Sequence, residues 1–80
     1  EDTYAWILYR LAKYDLALIW INKAIEHGGS KNGVILEHKG DILFKLGSKA
    51  DALEQWKIAK IIGQASDLID KKIKDGKLYE

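Results

Sequence analysis

The sequence predicts an all-α fold: two helix hairpins followed by a closing helix. Three observations carry this prediction. Apolar residues recur at helical spacing in every segment between glycine-rich breaks. No run alternates apolar and polar residues with period two, as a half-buried strand would. Sliding the chain by 35 residues lays the first two periodic segments onto the next two, small residue on small and large apolar on large apolar.

The elements follow in order. Residues 2–12 place Tyr4, Ile7, Leu8 and Leu11 at helical spacing. After a turn at Lys13 and Tyr14, Asp15 is suited to cap a second helix, which runs to about Glu26 with Leu18, Ile21 and Ile25 along one face. The polar stretch 27–33 holds Gly28, Gly29 and Gly33 and reads as a loop. Ser30 or Asn32 opens a third helix with Leu36, Leu43 and Leu46 on its apolar face and Ile35 and Ile42 beside them. Ser48 caps a fourth, which carries Leu53, Trp56 and Ile61 with Ala52 and Ala59. Gly47 and Gly63 stand just past apolar-periodic segments, as helix C-terminal glycines do. A fifth, shorter helix begins near Ser66 and carries Leu68, Ile69 and Ile73. Lys71, Lys72 and Lys74 lie near its end, where cations suit the helix dipole, and Gly76 ends it.

Composition bounds the possibilities. Eighty residues make one small domain. With 48% hydrophobic and 31% charged residues the chain is neither disordered nor a membrane span. A net charge of +1 gives no electrostatic case for nucleic acid or an anionic membrane. The lysines near the C-terminus (Lys71, Lys72, Lys74, Lys77) alternate with Asp67, Asp70, Asp75 and Glu80, which is the pattern of a solvated helix. Cys 0 excludes disulfides, thiolate catalysis and Cys-ligated metals. Met 0, with no signal peptide and no long apolar run, suggests a processed chain or a piece of a longer one, and assigns no compartment.

The 35-residue register is detailed. Ala5 falls on Gly40, Leu8 on Leu43, Leu11 on Leu46, Ala12 on Gly47, Ala17 on Ala52, Leu18 on Leu53, Ile21 on Trp56 and Ala24 on Ala59. Antiparallel helices need small residues where backbones approach and large ones where gaps open. Gly40 inside a helix costs about 1 kcal/mol relative to Ala, so a closely approaching neighbour is the expected reason for it.

These residues resemble a tetratricopeptide repeat. The second unit carries the resemblance in Gly40, Leu43, Leu46-Gly47, Ala52-Leu53, Trp56 and Ala59; the first in Ala5, Leu8, Leu11-Ala12, Tyr14, Ala17-Leu18, Ile21 and Ala24. The whole chain is similar to the C-terminal ends of bacterial tetratricopeptide proteins. The resemblance implies a right-handed superhelical array, with a first unit at 1–29, a second at 30–63, a capping helix at 64–76 and a tail at 77–80. The chain departs from the family in several places. The unit is one residue longer than usual, Gly29 and Gln64 stand where proline is frequent, and Lys49 replaces the aromatic that Tyr14 supplies in the first unit. Lys39 stands where leucine is usual, so it must snorkel or meet the acidic residues of the fifth helix.

The resemblance also implies a function, protein–protein interaction by a scaffold or adaptor, and a site. First helices of each unit would line an inner face made of Asp2, Thr3, Trp6, Tyr9 and Arg10, then Glu37, His38, Asp41, Phe44 and Lys45. Helical spacing agrees: Trp6, Tyr9 and Arg10 share one face, and Glu37, Asp41, Phe44 and Lys45 share a stripe. Aromatics with Arg, rimmed by charge, suit recognition of a peptide or helix. Some family members clamp a terminal carboxylate at inner positions. Here those positions hold Asp2, Trp6, His38 and Asp41, and two carboxylates would repel one.

The second helix is apolar almost all round, through Leu16, Leu18, Ile19, Trp20, Ile21 and Ile25. Such a helix is buried on every side. Leu16, Ile19 and Trp20 therefore predict a covered face, supplied by an upstream repeat, a partner or a second copy, which leaves two alternative functions: a self-association (homodimer) module, or a structural cap for upstream repeats.

An enzyme is not expected, and neither is a metal or other cofactor. His27 and His38 lack metal-ligand spacing. Ser30, Ser48 and Ser66 stand at helix starts, where capping explains them. The run Gly28-Gly29-Ser30-Lys31 follows a helix rather than a strand and lacks the glycine spacing of a phosphate loop.

Overall fold

The computed structural model describes residues 2–28 and 31–78, with side chains from Tyr4 onward. Among these residues five helices follow one another: α1 (Asp2–Arg10), α2 (Tyr14–Glu26), α3 (Gly33–Lys45), α4 (Lys49–Ile62) and α5 (Ile69–Asp75). Among the described residues there is no strand, and no helix is long and apolar enough to cross a membrane. The chain is all-α.

Each tight turn uses one hydrogen-bond plan. Lys13 N donates to Leu8 O at 2.9 Å and Ala12 N to Tyr9 O at 3.0 Å; 35 residues later Ser48 N donates to Leu43 O at 2.9 Å and Gly47 N to Phe44 O at 3.1 Å. Both turns close the helix end through a left-handed residue, Ala12 at φ 61° and Gly47 at φ 90°. The sequence offset is thus an offset in backbone structure as well.

Helix starts are less uniform than expected. Asn32 caps α3, its Oδ1 accepting from Val34 N at 2.9 Å. Ser30 lies outside the described residues. Ser48 precedes α4 but its hydroxyl makes no cap bond. Asp15 is not the cap of α2; that position is Lys13, and Asp15 sits in the first turn, where its charge still complements the dipole. Ser66 initiates a turn ahead of α5, its Oγ accepting from Leu68 N at 3.2 Å.

Small residues decide which faces are buried. In α1 the buried set is Ala5, Leu8 and Tyr9, while Tyr4, Ile7 and, just past the helix end, Leu11 are exposed. Leu8 alone of the expected apolar face is buried, because Ala5 permits closest approach and turns its own side of the helix inward. In α4 the buried set is Ala52, Trp56 and Ala59, and Ile61 is 84% exposed. Ile61 stands five residues past Trp56, a separation that carries it well round the helix from the buried face.

Trp56 is the largest fully buried side chain. A Cβ on Gly40 would overlap its indole ring and lie 3.1 Å from Ala52 O, so Gly40 exists to seat that ring. Gly33 likewise meets backbone directly: a Cβ there would overlap Gly63 O and sit 2.8 Å from Ala59 O. These contacts set α3 antiparallel to α4. Two apolar clusters result. Ala5, Leu8, Tyr9, Ala17, Ile21 and Ile42 form one, and Leu36, Ala52, Trp56, Ala59 and Ile69 the other. Ile42 of α3 sits in the first cluster and Ile25 of α2 packs on the second, so the hairpins share their cores. Leu78, expected in a tail, packs against both.

Candidate functional site

α3 carries Glu37, His38 and Asp41 toward α1 on one side and α5 on the other. Glu37 and Asp41 are one helical turn apart, so their side chains stack on one face. They do not form an exposed stripe. Each is only 3% exposed, and so is Lys72 of α5. Lys72 Nζ lies 2.7 Å from Glu37 Oε2 and 2.8 Å from Asp41 Oδ1. The Ser66 hydroxyl donates to Glu37 Oε2 at 2.5 Å and Ser66 N donates to Oε1 at 2.7 Å. Trp56 Nε1 donates to Asp41 Oδ1 at 3.0 Å, and Lys72 Nζ sits 5.8 Å from the Trp56 ring centroid. Among the described residues no buried side-chain polar atom lacks a partner.

The two carboxyls respond differently. Burial, the strongest influence on Glu37, raises its pKa, but the bonds from Lys72 and Ser66 together outweigh it and hold the group below its ordinary 4.5. At Asp41 burial dominates and, with the Glu37 charge adding to it, pushes the pKa above its ordinary 3.8 against Lys72 and Trp56.

Above this buried floor is an open cleft of about 280 Å³, lined by Trp6 and Arg10 of α1, Val34 and His38 of α3, and Gln64 and Ser66 of the α4–α5 connection. Its aromatic wall is a continuous stack. Trp6 lies against His38, with ring centroids 4.1 Å apart and planes 18° apart, and against Tyr9 at 4.7 Å and 10°. Arg10 is exposed and makes no ion pair among the described residues.

The expected site residues therefore divide. Trp6, Arg10 and His38 reach the cleft surface. Glu37 and Asp41 lie beneath it, and Asp41 carries its own counter-ion, which weakens its repulsion of a ligand carboxylate. Tyr9 is buried between Trp6 and Tyr14 and serves as packing. Phe44 is half-buried on Trp56, at 5.8 Å between centroids, and with Lys45 it lies outside the cleft. The side chain of Asp2 lies outside the described residues. Leu16 and Ile19 are exposed on the opposite side of the first hairpin, and Trp20 is half-buried, edge-on to Tyr4.

Sequence reasoning missed Lys72 and Ser66. Lys72 belongs to the buried face of α5, not to a solvated one. The signal was present: Lys72 falls between Ile69 and Ile73 on the one apolar face of that helix, and α3 offers two carboxylates one turn apart to receive it. Lys39 faces away from α5, into a shallow depression with Leu18, Asn22, Asp51 and Glu54.

No protein-family model, curated protein or solved structure matches this chain.

Proposed function

We propose that the chain is a non-enzymatic protein-interaction module of the tetratricopeptide type, which takes a peptide or helix of a protein partner into the cleft between α1, α3 and the α4–α5 connection. The observation that carries this reading is the cleft surface itself: a Trp6–His38 stack beside an exposed Arg10, with Val34 and Gln64 opposite. Flat aromatic area next to a guanidinium is the pairing that dominates protein interfaces energetically. The stacked ring is held from behind by Tyr9, so binding orders little that is not already ordered. The repeated turns support the right-handed, superhelical stacking of two hairpins and a closing helix that this family uses, since equal turns impose equal geometry on successive units.

The reading is tested by selecting peptides from a displayed library on the immobilised chain. Trp6→Ala and Arg10→Ala are each expected to weaken the selected peptides by about tenfold or more, as truncated hot-spot residues do. Lys45→Ala, outside the cleft, is expected to leave affinity unchanged. Helicity by circular dichroism confirms that Arg10→Ala, an exposed change, leaves the fold intact. Selected peptides that bind both cleft variants as well as the parent chain overturn the proposal.

A further inference from the structure

We infer that the outer face of the first hairpin is where two copies of this chain meet, α2 packing antiparallel on α2 of the second copy about a two-fold axis at Ile19. The face is apolar and open. Leu16 and Ile19 of α2, with Tyr4 and Ile7 of α1 and Leu11 just past its end, are each between 46% and 61% exposed. Tyr4 and Trp20 join the two helices edge to edge with centroids 5.0 Å apart, and helical spacing sets Ile7 and Leu11 on the Tyr4 side of α1 and its end, and Leu16 and Ile19 beside Trp20 on α2. Contiguous apolar area of this kind marks an association surface rather than scattered exposure.

Charge selects the occupant. Asp15 lies four residues before Ile19 and Lys23 four residues after it. Four residues displace a side chain by about 6 Å along the helix and about 40° around it. A two-fold axis perpendicular to the helix and lying between the copies at Ile19 reverses the axial displacement, so Lys23 arrives level with Asp15 of the second copy and Asp15 level with Lys23, and inclining the two helices so that their i±4 rows align closes the lateral gap. A parallel pairing would instead set like charge against like. Neither residue has an ion pair within the chain among the described residues, and Lys23 Nζ is held on this face, 4.4 Å from the Trp20 ring centroid. A surface that is complementary to itself under a two-fold axis is the requirement for a closed homodimer.

Five half-exposed side chains make a smaller patch than the roughly 800 Å² per partner of a standard stable interface, so the dimer is expected to be a weak one. Trp6 and Arg10 lie on another side of α1, so the dimer leaves both clefts open and presents two of them at once.

Sedimentation equilibrium of the 80-residue chain from about 5 μM to about 1 mM tests this, a range spanning the weak-interface regime. The parent chain is expected to pass from monomer to dimer. Lys23→Asp and Asp15→Lys, both exposed changes, are each expected to weaken dimerisation by about tenfold, since each dimer then holds two like-charge contacts. The double exchange restores the opposite-charge contacts and returns Kd to within about threefold of the parent. Dimerisation that survives both single exchanges overturns the axis at Ile19. A parent chain that stays monomeric throughout overturns the second copy as occupant and leaves the face to a different chain. None of these outcomes depends on the peptide cleft.

Discussion

Between Leu8 and Ala17 the first hairpin makes the backbone hydrogen bonds that the second makes between Leu43 and Ala52, yet the two hairpins are finished differently. Where the second has glycine in the left-handed turn position, the first has Ala12. Where Ile21 fills the first core, Trp56 fills the second, and Gly40 replaces Ala5 to make room for the ring. The Tyr9–Tyr14 contact of the first becomes Phe44 with Lys49 Nζ over its ring at 5.7 Å in the second. The larger difference is cover. The α3–α4 hairpin has α5 clamped onto it through Lys72, whereas the outer face of α1–α2 carries exposed Ile7, Leu11, Leu16 and Ile19. One backbone plan thus yields a capped unit and an uncapped one, and the side chains at a few matched positions make the distinction.

The largest expected effect comes from removing the clamp. Lys72→Met leaves Glu37 and Asp41 buried without their cation, and breaking such a pair from one side costs about 3–5 kcal/mol. Urea unfolding measures it. A loss below about 1 kcal/mol, the range of an exposed ion pair, would mean that α5 is not held as described. Lys60 and Asp70, an exposed pair joining α4 to α5, provide the contrast, and Lys60→Ala is expected to change stability by no more than about 0.5 kcal/mol.

Next is Gly40→Ala. The added methyl overlaps the Trp56 ring, and overpacking of this kind costs about 1–3 kcal/mol despite the better helix propensity of alanine. The matched change Ala5→Gly in the first hairpin has no ring to accommodate and is expected to cost about 1–2 kcal/mol, from helix propensity and the loss of a buried methyl. Unfolding curves in which Gly40→Ala is stabilising would remove the reason given for this glycine.

Ala12→Gly transfers the second turn's solution to the first. A left-handed alanine is strained by about 1 kcal/mol, so the variant is expected to gain about 0.5–1 kcal/mol, seen as a higher urea midpoint at constant slope.

The smallest effect is on pH dependence, and the two carboxyls oppose each other. Glu37, lowered in the folded state, contributes stability that is present above 4.5 and lost as pH falls through its folded value. Asp41, raised in the folded state, contributes stability that is present below 3.8 and lost as pH rises through its folded value. Urea unfolding of the parent, Glu37→Gln and Asp41→Asn from acid to neutral pH separates them. The Gln variant is expected to lose part of the rise in stability with pH below 4.5, and the Asn variant part of the decline above 3.8. Identical slopes in all three would contradict both directions.

The sequence by itself determined the helices, the turns and their register. Apolar periodicity and glycine placement are local, and each helix must satisfy its own backbone whatever it packs against. Gly40 was legible for the same reason: only a close neighbour offsets the cost of glycine inside a helix. The rotation of each helix was not local. Tyr4, Ile7 and Leu11 look as apolar as Leu8, but only the meeting of Ala5 with its neighbours decides which of them is buried. The status of the charges was decided last of all. Glu37 and Asp41 read as part of an open binding face and Lys72 as part of a solvated helix, until the fold brings α5 across α3 and takes all three out of water together. A charge carries no mark in the sequence of whether its partner is solvent or an ion on a distant helix. That choice belongs to tertiary structure, because it depends on distances between elements that no single element contains.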